Sequence, residues 1–134
     1  MVPSSEKLQR AQREGIKTMT NEEVVREHAR ALLAHDREAL ADGFADHAVF
    51  LVGSNAIVGK DAIRKMFEGV PDDALPTEVV FDSFASTGEY IFAVYHHEDG
   101  MTGGDTFHIR DDKIVMQSAH VVNVPSNLAE HVPL

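Results

Sequence analysis

The chain predicts an α+β domain: a curved, mixed or antiparallel sheet, cone-shaped, wrapped around three N-terminal helices. Three observations lead there. Helical spacing of apolar residues is confined to the first half of the chain. Four long β-rich runs joined by short turn signals fill the second half. The 134 residues suit one domain, large enough to bury a core without staples. Helices grouped ahead of consecutive hairpin strands are the α+β pattern.

Each element has its own signal. Residues 1–19 are polar, with only Leu8, Ala11 and Ile16 as a weak stripe, and are expected to form an arm dispensable for folding. Thr20 and Glu23 make a capping box, followed at helical spacing by Val24, Val25, His28, Ala31, Leu32 and His35. Asp36 caps a shorter helix whose inner face is Ala39, Leu40, Gly43 and Phe44. Residues 48–52 and 56–58 read as short strands around the turn at Gly53-Ser54-Asn55. A third helix starts at Asp61, with Ile63, Met66 and Phe67 inward, and stops at Gly69 and Pro71. Residues 77–86, 89–98, 104–110 and 113–124 then form a meander. The domain is expected over 20–124, with 125–134 as a tail.

Composition narrows the functional classes. Twelve Lys and Arg against 22 Asp and Glu give a net charge of −10, which repels nucleic acid and anionic membranes. No cysteine is present, so disulfide and thiolate chemistry are excluded. No apolar run approaches the ~20 residues of a membrane span. The start of the chain lacks the apolar stretch of a signal peptide, so cytoplasm is the expected location. The space between a bent sheet and its helices is where a small molecule would bind.

Three phrases carry a family resemblance: residues 36–50 (DREALADGFADHAVF), 58–64 (VGKDAIR) and 105–115 (DTFHIRDDKIV). With the element order, they resemble the nuclear transport factor 2-like superfamily. The likeness is nearest to its SnoaL-like, polyketide cyclase-like branch, and more distant to ketosteroid isomerases. It covers about residues 20–124. The resemblance implies a cystatin-like α+β barrel, often a homodimer through the outer sheet face. It implies little about activity, because the fold hosts several enzyme types and non-catalytic modules.

The candidate site follows from phase and from that resemblance. Asp105 alternates with Phe107 and Ile109, so it should face inward, where burial raises a carboxyl pKa and suits it to donate a proton. The resemblance places it at an Asp common in SnoaL-like strands, and where ketosteroid isomerases keep a protonated Asp that donates to the substrate oxyanion. A strand-start Asp bonding a turn is the alternative. His28 lies on the apolar face of the first helix and resembles the position of an isomerase oxyanion Tyr; otherwise it is a core histidine. His120 is in phase with Ser118 and Met116. With Ile109 set opposite Ile114, these residues should share a face with Asp105, making His120 the candidate base. It stands where related strands often carry an acid.

Ser118, His96, Phe44, Phe50, Val52, Phe67 and Phe107 are the expected substrate-binding set. Of the adjacent His96 and His97, one must face in, and alternation does not decide which. No compact metal-ligand motif is present, and no metal or cofactor is expected. Val52 stands where the resemblance would put the isomerase base, which argues against steroid isomerisation by that route. No Arg near Asp105 matches the Asp-Arg-Asp set of related epoxide hydrolases. Two functions remain: an acid–base catalyst of isomerase, cyclase or lyase type acting on a small apolar carbonyl compound, or a non-catalytic binding module or dimerisation domain of the same fold.

Overall fold

Thr20 opens the first helix through both halves of its cap. Its Oγ1 accepts from the Glu23 amide at 3.1 Å, and its own amide donates to the Glu23 carboxylate at 3.2 Å. Two donors that a helix start leaves free are thereby satisfied. Helix α1 runs Asn21–Leu33 and buries Val24, Val25 and Ala29. Helix α2, Arg37–Asp42, is capped by the Asp36 side chain. Helix α3, Lys60–Glu68, ends at Gly69. Arg37 ties α2 to the end of α3 by donating to the carbonyls of Phe67 (2.9 Å) and Val70 (2.6 Å).

The structure, a computed structural model, describes residues 18–121. The expected arm therefore lies outside the described residues except for Thr18 and Met19, as do the end of the last expected strand and the tail. Thr18 and Met19 are held: the Thr18 amide and hydroxyl donate to Asp112 Oδ2, and the Met19 amide donates to Oδ1 at 3.0 Å.

Six strands follow the order β2-β1-β6-β5-β4-β3. They are β1 Phe44–Val52, β2 Asn55–Val58, β3 Val79–Thr87, β4 Tyr90–His97, β5 Thr102–Arg110 and β6 Lys113–Val121. All neighbouring pairs are antiparallel except β1 with β6, which is parallel. The sheet is mixed, as expected, but not closed: β2 and β3 are edges and do not pair. Phe44, expected on the second helix, instead begins β1.

The helices cover one face of this sheet. Phe44, Ile91, Phe107, Ile109 and Ile114 pack there against Val25 of α1 and Ile63 of α3, all at most 2 % exposed. Burying each such side chain is worth roughly 1.5–3 kcal/mol, so this face supplies most of the stability.

Two bulges decide which residues reach that face. The β5–β6 hairpin turns at Asp111 and Asp112, whose φ angles of 53° and 63° suit the tight turn between right-twisted strands. Ile109 pairs with Ile114 as expected, but His108 then pairs with Met116, leaving Val115 as an extra residue. A second bulge in β3 lies at Asp82, between Phe81 opposite Tyr95 and Ser83 opposite Val94. It turns Phe84, which regular alternation from Val80 would leave on the outer face, inward beside Phe81, with ring centroids 4.9 Å apart. The Arg26 guanidinium lies 5.1 Å from the Phe84 ring.

Candidate functional site

A cavity opens where the inner face carries alanine. Asp105 on β5 lies between Ala93 on β4 and Ala119 on β6. Neither side chain is long enough to fill the space in front of it. The result is a cavity of about 160 Å³. Its walls include Val25, Leu32, Phe50, Phe67, Phe81 and Phe107. Its polar groups are His28, Tyr95, His97, Asp105 and Gln117.

Asp105 is 6 % exposed. The Tyr95 hydroxyl donates to its Oδ1 and the Gln117 amide nitrogen to its Oδ2, both at 2.9 Å. Burial raises its pKa above the ordinary carboxyl value, while the bonds from Gln117 and Tyr95 pull the other way. The Tyr95 hydroxyl is raised in turn, first by burial and then by the Asp105 charge. Gly103 makes this contact possible: a Cβ there would sit 2.5 Å from the Tyr95 ring.

His28 enters from α1 and stands edge-on to both Phe44 and Phe107, with centroids 5.7 Å away in each case. Burial lowers its pKa to about 4, so the ring is neutral at pH 7. Its Nδ1 is buried without a hydrogen-bond partner. His97 stacks on Tyr95 at 5.4 Å.

Asp105, His28, Phe50, Phe67 and Phe107 thus meet at one cavity. Phe44 lies behind it, fully buried against His28 and Phe50. Val52 is half-buried against the core at the end of β1, away from the cavity lining.

Three expectations need correction. His120 pairs with Gly104 and Ser118 with Thr106, so both point to the outer face, where Ser118 Oγ and His120 Nε2 are 2.9 Å apart. The cause is the Val115 bulge, since one extra residue exchanges the two faces of everything beyond it. His120 is therefore not across the cavity from Asp105. His96 also faces outward, with Nδ1 3.0 Å from the Asp82 carboxylate, and His97 is the inward member of that pair. Gln117, Tyr95 and His97 were missed as a group. The signal for Gln117 was present: a lone amide in an apolar strand, readable once a bulge is allowed.

A larger recess of about 540 Å³ lies on the other side of His28, beneath α1 and α2. Glu27, Arg30, Asp36, Asp42 and Lys113 give it a charged rim, and it lacks the carboxyl–phenol–amide cluster. Among the described residues, no three His, Asp or Glu side chains gather in a way that could hold a metal ion. No helix among them is long and apolar enough to cross a membrane.

Residues 25–117 match the SnoaL-like domain family. The chain belongs to that family. The SnoaL-like fold is also seen in solved structures of the nuclear transport factor 2-like superfamily. An NTF2-like protein of unknown function from Burkholderia xenovorans LB400 has a TM-score of 0.65 and 17% identity, over 84% of this chain and 93% of that one. A second, from Cytophaga hutchinsonii ATCC 33406, has a TM-score of 0.64 and 14% identity, over 84% and 96%. The epoxide hydrolase/cyclase-like enzyme SalBIII, which has a role in pyran ring formation in salinomycin, has a TM-score of 0.60 and 16% identity, over 75% and 89%. At these identities the SnoaL-like domain shares a fold with them. No curated protein sequence matches the chain.

Proposed function

We propose that this SnoaL-like domain binds a small, largely apolar carbonyl compound in the Asp105 cavity and moves a proton there. The observation that carries the reading is a buried carboxyl, held by Tyr95 and Gln117, in a cavity walled mainly by apolar side chains. Asp105 is the proton-exchanging group, and neutral His28 donates a hydrogen bond to the substrate oxygen. With His120 on the outer face, the acid and the base of a reaction would both have to be Asp105. That suits removal and return of a proton next to a carbonyl.

A second reading has its own support. Both Asp105 oxygens already have protein partners, which fits a polar anchor in a non-catalytic binding module. One experiment separates the two: incubation with small ketones in D₂O, followed by NMR. Deuterium entering beside the carbonyl in the wild type but not in Asp105→Asn supports catalysis. Binding without exchange supports the module. No binding by either protein defeats both.

The domain is further proposed to act as a homodimer through its outer sheet face. Leu51, Val58, Val80, Tyr90 and Phe92 are 39–65 % exposed, and strand register puts them all on that face. So large an apolar surface is unusual on a monomer. Sedimentation at micromolar concentration is expected to show the dimer, and Phe92→Glu to shift it to monomer. A wild-type species at the single-chain mass would end the idea.

A further inference from the structure

Gln117 is held so that only one end of its amide is available to a ligand. Its Nε2 donates to Asp105 Oδ2 at 2.9 Å. Turning the amide over would set its oxygen against the carboxylate, two acceptors facing each other, so the Asp105 contact selects this orientation. The other end, Oε1, is buried without a partner, in a side chain only 3 % exposed that lines the cavity. Buried carbonyl oxygens are nearly always paired. Here Phe107 and Phe50 flank Gln117 on the neighbouring strands and offer no donor.

We infer that Gln117 is a specificity-determining residue, and that the molecule taken by this cavity carries a hydroxyl or N–H donor for Gln117 Oε1 besides its carbonyl oxygen. This rests on the proposed reading of the cavity as a carbonyl-compound site and narrows the substrate to small carbonyl compounds that also carry a hydroxyl or N–H group. Size sets the second limit. A cavity of about 160 Å³ is close to the ~150 Å³ that accommodates benzene, and below the ~300 Å³ at which drug-sized sites begin. A single six-membered ring or a short chain fits; a fused polycyclic skeleton is too large to enter whole. Sites built to hydrogen-bond a substrate hydroxyl reject analogues that lack it, because their own buried group is then left unpaired.

The test uses three matched ketones with the full-length wild-type chain: 2-hydroxycyclohexanone, cyclohexanone and 2-methoxycyclohexanone. Titrations are followed by NMR on the methyl groups of Val25, Leu32 and Ala119. The hydroxy ketone is expected to bind roughly tenfold or more tighter than either analogue, the methoxy compound showing that a donor is needed and an oxygen alone does not suffice. Gln117→Met is expected to abolish that preference, the hydroxy ketone then binding no tighter than cyclohexanone. Equal binding of the three ketones by the wild type overturns the inference and leaves the carbonyl-compound reading standing. So does a preference that survives in a folded Gln117→Met. Perturbation of the cavity methyls by none of the ketones overturns both. The wild-type comparison decides the matter even if the variant does not fold.

Discussion

The inner face of the sheet and the turn between β3 and β4 each hold a carboxylate among hydrogen-bond donors and give it opposite properties. On the inner face, Asp105 is bound by a phenol and an amide, and burial raises its pKa. In the turn between β3 and β4, Glu89 is bound by Arg110 at 3.1 and 3.2 Å and by His108 at 2.9 Å, and its pKa falls to about 2, chiefly through the Arg110 hydrogen bonds. Each carboxylate has close hydrogen-bond donors, so hydrogen bonding alone does not account for the difference. Asp105's partners are neutral and its surroundings dry, so desolvation outweighs them. Glu89's partners include a cation, and water covers it. The inner face therefore favours the protonated carboxyl more than water would, whereas the turn site fixes a charge.

Packing should give the largest contrast between the faces. Phe107→Ala empties the middle of the inner face and is expected to cost about 3–5 kcal/mol by chemical denaturation. Phe92→Ala on the outer face should cost the isolated chain less than about 1 kcal/mol. A similar cost for both at a dilution where the chain is monomeric would mean that the outer face is packed within the single chain.

The adjacent glycines sharpen the contrast. A Cβ at Gly103 would meet the Tyr95 ring at 2.5 Å, and that ring is held by its bond to Asp105. Gly103→Ala should cost roughly 1–3 kcal/mol and displace the phenol. At Gly104 the nearest atom is Cζ of Phe92 at 3.0 Å, the far end of a part-exposed ring. Gly104→Ala should cost less than about 1 kcal/mol. A crystal structure of Gly103→Ala with Tyr95 still on Asp105 would contradict the positioning role given to Gly103.

The pH dependence of stability should differ in sign. Asp105 is raised in the fold, so the folded state holds its proton more tightly than the unfolded chain does. Its contribution is complete below the ordinary value of 3.8 and is lost as pH rises through the folded pKa. Asp105→Asn should therefore gain on the wild type as pH climbs from about 4. Glu89 is lowered, so its contribution is present above 4.5 and lost as pH falls toward about 2. Glu89→Gln should trail the wild type at neutral pH and converge with it in acid. Melting curves from pH 2 to 8 check both, and parallel trends in the two variants would refute the comparison. The smallest effect should be that of His120→Ala, within about 0.5 kcal/mol and without influence on ketone binding. Reduced ketone affinity in that variant would return His120 to the cavity.

The helices were legible because their signals are local. Thr20 with Glu23, Asp36, and Gly69 mark ends through bonds made within a few residues. Asp105, His28 and Phe107 were legible for a related reason: each sits in a regular segment where phase alone assigns the face. His120, Ser118 and Phe84 were not, because each lies beyond a bulge. Val115 has the side chain of an ordinary strand residue, and neither turn nor composition marks it as extra. His96 and His97 were undecided since β4 is apolar on both sides, and only the partners Asp82 and Tyr95, distant in sequence, separate them.

Val115 acts as a parity bit for the end of the chain. With it standing out of the ladder, odd-numbered positions 117 and 119 address the cavity; drawn into regular pairing, it would hand their places to Met116, Ser118 and His120 on an almost unchanged backbone. A one-residue slip of the strand would thus trade an amide and an alanine for a hydroxyl and an imidazole, with no side chain mutated. Aligning two such chains residue by residue would equate positions that never see the same ligand. In this architecture chemistry can change by sliding a strand as readily as by substituting it.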